Sequence, residues 1–127
     1  MNKQKLSVTG TGDSLFMAKF PEEYQTGIRS VADFIQSCDI KITNLETNLS
    51  DFDCFASAYS GGTWLNTRGA NFPELLRFGF NYFGTANNHA MDYGFDGLLS
   101  TIQVLDQHGV AHSGTGTSLE DASKPAM

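Results

Sequence analysis

Apolar residues recur at two periods along this chain, and the switches between them predict an alternation of strands and helices. Leu6 and Val8 alternate with Ser7 and Thr9 ahead of "GTGD", which predicts a first strand over residues 5–11 whose end delivers Asp13. "GIRSVADFIQSCD" then sets Ile28, Val31, Ala32, Ile35 and Cys38 on one helical face. "IKITNLE" predicts a second strand over 40–45, with Glu46 just beyond it. In "CFASAYSGGTWLNT", aromatic and β-prone residues on both sides of Gly61 and Gly62 predict a hairpin-like excursion. "NFPELLRFGF" predicts a short helix with Pro73 in its first turn. "NYFGTA" predicts a third strand. "GFDGLLSTIQVLDQHG" predicts a helix burying Phe95, Leu98, Leu99, Ile102 and Leu105 and stopping at Gly109. "VAHS" predicts a fourth strand before a loop, "GTGTSLEDASKP".

That rhythm is the α/β one, and right-handed crossovers make the sheet mostly parallel, with flanking helices. The 127 residues suffice for a single domain over 1–127. A parallel sheet with this few helices lacks its usual cover, so the expectation is the N-terminal part of a larger domain. Composition changes the picture little: 40% hydrophobic and 17% charged residues are globular values. A net charge of −6 with no basic cluster argues against nucleic acid as a partner. Cys38 and Cys54 are too few and too far apart for a disulfide framework or a CxxC metal site. The opening "MNKQKLSVTG" has no apolar segment of the signal-peptide kind, and no window approaches a membrane span. As given, the chain reads as cytoplasmic or as separated from its targeting segment.

The chemistry gathers at the strand ends. Ligand sites of open α/β sheets form beyond the carboxyl ends of the strands. Asp13 ends the first predicted strand, Asn44-Leu45-Glu46 the second and Asn87-Asn88-His89 the third, with Asp92 one turn further on. Carboxylate, carboxamide and imidazole together suit a borderline divalent ion such as Mn²⁺, Zn²⁺ or Fe²⁺. A carboxylate bridging two ions about 3.5–4 Å apart clamps an in-line phosphoryl displacement, and Glu46, on the central of these strands, is the natural bridge. His89 is placed to protonate a leaving oxygen, a task that imidazole chemistry suits near neutral pH. Taken singly, each residue has a plainer reading. Asp13 is also suited to capping a turn, Asn87 and Asn88 to a turn, Asp92 to the N-cap of the third helix and His89 to a structural hydrogen bond. His108 reads as a helix C-terminal residue and His112 as structural. The "GTG" runs at 10–12 and 114–116 lack the remainder of any nucleotide fingerprint, and "NLS" at 48–50 matches a glycosylation sequon.

"GTGDSLF", "ITNLETNLS" and "GTANNHAMDYGFDGLLSTIQVLDQHGVAHSGTGTSLEDASKP" resemble successive blocks of the CapA family of bacterial capsule synthesis proteins, also known as the poly-gamma-glutamate biosynthesis family. The likeness runs from about Leu6 to Pro125 and is weakest between Asp51 and Thr67. That family is similar in turn to the calcineurin-like metallophosphoesterases, which implies half of a metallophosphoesterase-like sandwich. The resemblance implies Asp13 as a first metal ligand, Glu46 at the bridge, Asn88 on the second ion and His89 as the catalytic histidine. Asp92 is a further ligand candidate. It implies a dinuclear Mn, Zn or Fe cofactor in the complete domain. The partners implied are an anionic polymer or phosphoester substrate and other capsule-synthesis proteins. Where the phosphoesterase pattern has a histidine two residues after its first aspartate, this chain has Leu15, and the later histidines of that pattern do not occur here. A metal-dependent hydrolase and a non-catalytic assembly or export factor for an anionic capsule polymer are both consistent with these residues.

Overall fold

The computed structural model describes residues 5–60 and 62–126. Four strands form one sheet: β1 (Val8–Ser14), β2 (Ile40–Leu45), β5 (Tyr82–Gly84) and β6 (Ala111–Ser113). Two short strands, β3 (Asn48–Leu49) and β4 (Asn66–Thr67), pair apart from it. The helices are α1 (Gln25–Gln36), α2 (Phe72–Leu76), α3 (Gly94–Gln107) and α4 (Leu119–Ala122). Sheet order is β1-β2-β5-β6 and every pair is parallel. The α/β class and the mostly parallel sheet expected from the sequence are therefore present.

Because the strands follow chain order across the sheet, right-handed crossovers place all the connecting helices on one face. Side chains alternate along a strand, and the burial of β2 and β5 follows that alternation. Thr43, Leu45 and Phe83 point into the core, where they meet Ile35 of α1, Phe72 and Leu75 of α2 and Leu105 of α3. The opposite face carries Val8, Ile40, Ile42 and Tyr82, of which Val8 and Ile40 are exposed. No helix among the described residues covers it.

Several elements differ from expectation for identifiable reasons. The first strand runs three residues further than its alternation suggests, because a bulge between Gly10 and Asp13 lets it continue pairing with β2. The bulge brings Asp13 level with Asn44. Of the stripe expected on α1, Ala32 and Ile35 are buried, Ile28 is half-buried and Val31 is exposed; Cys38 lies half-buried just past the helix end. On α3 the buried positions are Gly97, Leu98, Thr101 and Leu105, while Phe95 is exposed. The helix approaches β3 so closely that a Cβ at Gly97 would lie 3.3 Å from the Asn48 Oδ1.

The hairpin expected around Gly61 and Gly62 is corrected. Gly61 lies outside the described residues, and the segments flanking the excursion pair in parallel, Asn48 with Asn66 and Leu49 with Thr67. A parallel pair needs a long return, and residues 50–65 make it. The segment after β6 is a loop only up to Thr117; Ser118 then caps α4 by accepting from the Asp121 N–H at 3.1 Å. No helix among the described residues is long and apolar enough to cross a membrane.

Candidate functional site

The carboxyl ends of β1, β2 and β5 converge, as the parallel topology requires. Asp13 is in register with Asn44, and Asn44 and Glu46, two residues apart, project to the same side. The Asn44 carboxamide joins the two acids: its Nδ2 donates to Asp13 Oδ1 at 2.8 Å and, in a short contact, to Glu46 Oε2. Asp13 is exposed and Glu46 buried, so the pair opens to solvent on its Asp13 side.

The turn after β5 locks onto this pair. Asn87 Nδ2 donates to Asn44 Oδ1 at 3.1 Å and to the Leu45 carbonyl at 2.8 Å, while Asn87 Oδ1 accepts from the His89 N–H at 3.0 Å. Asn87 is thus the brace of the turn, and it leaves its neighbour Asn88 exposed, with no side-chain hydrogen bond among the described residues.

His89 and Asp92 form a buried pair, His89 Nδ1 standing 2.7 Å from Asp92 Oδ2. The same carboxylate oxygen accepts from the Leu65 N–H at 2.7 Å. Asp92 Oδ1 is buried without a partner among the described residues. Asp92 does not cap α3: the N-cap position is Tyr93, and no side chain serves there. With Nδ1–H given to Asp92, the imidazole's second nitrogen, Nε2, is left for other chemistry.

Around this pair stands a shell of buried polar residues. Asn48, 1% exposed, accepts from the Tyr93 N–H at 3.0 Å through Oδ1 and donates to the Ala90 carbonyl at 3.0 Å through Nδ2. The asparagine of the "NLS" sequon is therefore an internal strut. Thr101 on α3 accepts from the Leu49 N–H at 2.8 Å, and Ser57 N–H donates to the Asp92 carbonyl at 2.8 Å. The excursion 50–65 is consequently tied to the His89 turn at Ser57 and Leu65. Asn44, Asn48, Asn87 and Leu65 all serve the site. The three asparagines carry a visible signal, amides beside strand-end acids, whereas Leu65 acts through its backbone and leaves no trace in the sequence.

His108 donates from Nδ1 to the Val104 carbonyl at 2.8 Å at the C-terminus of α3, the role its position predicts. His112 Nε2 lies 3.0 Å from Asp106 Oδ1, away from the site. Burial, reinforced by Asp53, pushes the Cys54 thiol above its ordinary range, which disfavours the thiolate a nucleophile needs.

Among the described residues, no group of three or more His, Cys, Asp or Glu side chains is arranged to hold a metal ion. The donors at the sheet edge are instead two carboxylates and carboxamides. Such a set suits a hard cation, and of the three metals considered it suits Mn²⁺ best.

Comparison with known proteins places the chain in a family. An uncharacterized protein of Sinorhizobium fredii, y4sH, is 29% identical over 120 residues, covering 92% of this chain and 26% of its own length. The PGA biosynthesis protein CapA of Bacillus subtilis is 37% identical over 60 residues, 47% of this chain and 16% of that protein. A Mycobacterium tuberculosis protein named as a polyglutamine synthesis accessory protein is 29% identical over 89 residues, 70% of this chain and 23% of that protein. The chain thus spans about a quarter or less of the length of these relatives. The profile described as "Bacterial capsule synthesis protein PGA_cap" matches residues 6–127, and the chain belongs to that family.

Proposed function

We propose that this chain works in the synthesis of an anionic capsule polymer of the polyglutamate class, and that its sheet edge is a cation-assisted phosphoester-cleaving site with His89 as general acid. The observation that carries the reading is the buried His89–Asp92 pair on a turn that Asn87 ties to Asn44, the amide joining Asp13 and Glu46. Among the described residues Asp92 Oδ1 is buried without a partner, which leaves it an acceptor beside the pair.

In donor chemistry the residues fit a divalent cation. Asp13 and Glu46 already share one positive partner, the Asn44 amide N–H group, and Asn88 offers an uncommitted amide oxygen from the neighbouring strand end. Asp13, Glu46 and Asn88 would hold the ion, which supplies polarisation of a phosphoryl oxygen and activation of water. Asp92 holds the His89 ring in one orientation by accepting from Nδ1–H, and in the imidazolium form of the ring Nε2–H is the proton to be given. As the oxygen of water bonds to phosphorus and the phosphorus–oxygen ester bond breaks, that proton passes to the leaving oxygen, while the proton shed by water goes to solvent, from which Nε2 is reprotonated. Asn87 and Asn48 fix the turn that carries His89.

Phosphoester hydrolysis in Mn²⁺ by the complete protein, wild type against His89→Ala, tests the reading. Removal of a general acid is expected to lower turnover roughly 10²–10⁴-fold. Calorimetric titration of Mn²⁺ against Glu46→Ala and Asn88→Ala tests the ion. No binding in a folded wild type would mean that Asp13, Glu46 and Asn88 do not suffice.

The second reading, a non-catalytic assembly factor for the polymer, is favoured by one observation: the Asn44 amide already satisfies both carboxylates. Metal binding without turnover supports it.

A further inference from the structure

We propose that the concavity between the His89 turn and the segment after β6 is the subsite for the uncharged organic group of the substrate, the part that leaves as an alcohol. This rests on the phosphoester reading of the neighbouring carboxylates.

The concavity measures about 540 Å³, within the range of roughly 300–1,000 Å³ typical of small-molecule sites. It begins one residue from His89, at Ala90, and shares Asn87 with the site. Asn87 braces Asn44, and Asn44 joins Asp13 to Glu46, so two side-chain hydrogen bonds link the Asn87 of the concavity to each carboxylate.

No lining residue is titratable, in a chain of net charge −6. A wall without charge neither attracts nor neutralises an anionic group, and burying one there would be costly. Hydrocarbon is what it can accept.

The wall is concave because its residues are small. Ala86 and Ala90 form one side, and Gly114, Gly116 and Ala122 the other. The two sides are held as one body. Gly114 has φ +117°, and a Cβ there would stand 2.7 Å from the Ala86 backbone nitrogen. Within the second side, a Cβ at Gly116 would stand 2.7 Å from the Ala122 nitrogen and 2.8 Å from Asp121 Oδ2. The second "GTG" of the sequence therefore has a job unrelated to nucleotide phosphates: it seats the loop directly on the turn that carries His89. The Thr115 hydroxyl pairs with that of Thr85 at 2.8 Å, and the Ser118 hydroxyl accepts from Asp121, so these polar groups are already satisfied. At the rim stand Leu119, 86% exposed, and Met91, also exposed, two apolar side chains without apolar cover. A hydrocarbon group in the concavity would supply it.

The test has two arms on the protein as it exists. Benzyl alcohol is titrated into ¹⁵N-labelled protein without added metal, following the amides of Ala90, Leu98, Thr115 and Gly116. Calorimetry in Mn²⁺ then compares phenyl phosphate with inorganic phosphate for the wild type, Ala122→Phe, which fills the concavity, and Leu119→Asn, which removes part of its rim at an exposed position. Expected are saturable shifts confined to the concavity and phenyl phosphate binding at least tenfold tighter than phosphate. That advantage should vanish in Ala122→Phe and shrink in Leu119→Asn, with phosphate affinity unchanged. Absence of shifts at those amides overturns the subsite whatever the phosphates do. Equal affinity for the two phosphates overturns its link to the substrate and leaves the phosphoester reading standing. Alcohol binding with neither phosphate bound overturns that reading, and the subsite assignment with it.

Discussion

Asp92 does two things with one oxygen, so only a change of its charge at constant shape separates its structural from its chemical part. Oδ2 accepts from the Leu65 N–H and from His89 Nδ1, both at 2.7 Å. Asp92→Ala leaves both donors buried and unpaired, so thermal unfolding is expected to show a loss of roughly 2–4 kcal/mol. Asp92→Asn, with its amide oxygen in the Oδ2 place, keeps an acceptor for both donors and a side chain of the same shape, but removes the negative charge beside the imidazole. For this variant the melting temperature should move far less than in Asp92→Ala, while phosphoester turnover falls about as far as in His89→Ala. A normal turnover in Asp92→Asn would separate Asp92 from the chemistry. Asn48 makes a parallel case without the chemistry. Its amide holds the Tyr93 N–H and the Ala90 carbonyl from a fully buried position, so Asn48→Ala should cost about 2–3 kcal/mol in a denaturant titration. It should blunt any activity only through misplacement of the turn.

At the scale of elements, the start of the sheet is fastened by a reciprocal clasp. Asp39 Oδ2 accepts from the Ser7 N–H and Oγ–H, each at 2.8 Å, and the Asp39 N–H donates back to Ser7 Oγ at 3.0 Å. The backbone donor of Ser7, and then its hydroxyl, hold the Asp39 carboxyl below its ordinary 3.8. A depressed folded value contributes stability that is fully present above 3.8 and is lost as the pH falls through the folded value. The stability difference between wild type and Asp39→Asn should therefore be largest above pH 3.8 and shrink below it. A difference that persists unchanged in acid would mean the clasp does not depend on charge. The clasp was not legible in the sequence, because its partners lie 32 residues apart and exposed serines and aspartates carry no periodic signal. What was legible followed from burial. β2, on the core side of which Thr43 and Leu45 alternate with half-buried neighbours, has the limits that its residues predict. The long helix α3 was equally plain in extent, but its buried stripe was shifted because Gly97 and Thr101, residues of low hydrophobicity, make its close approach to β3. Strand β1 was misjudged because its pairing, not its alternation, carries it through the bulge to Asp13. The β3–β4 pair was hidden because two-residue strands with buried asparagines and threonines look like loop. Of the site, the acids, Asn44 and His89 were visible as strand-end residues; the joining role of Asn44 and the brace made by Asn87 were not, because hydrogen bonds between amides leave no periodic signal.

Over the whole molecule, stability should be graded across the sheet, because burial is. β2 and β5 lie at the centre with Leu45 and Phe83 sealed under three helices, whereas β1 is an edge strand with most of its residues exposed. On the open face its Val8 and the paired Ile40 of β2 are exposed and gain little from burial. Opening of β1 exposes almost no apolar surface that is not already in water, so its free energy should sit well below the global value. Opening of β5 removes the floor from Phe72, Phe80 and Leu105 together and amounts to global unfolding. Native-state hydrogen exchange should accordingly find the slowest amides in β2 and β5, faster ones in β6 and the fastest strand amides in β1. The consequence reaches the site, since Asp13 belongs to the first strand to open, while Glu46, Asn87 and His89 belong to the core and to the turn braced on it. A cation held between Asp13 and Glu46 would tie the edge to the centre. Adding Mn²⁺ should then slow exchange in β1 selectively while leaving β5 and β6 nearly unchanged. Uniform slowing of all four strands, or none, would mean that the ion does not bridge Asp13 to the core.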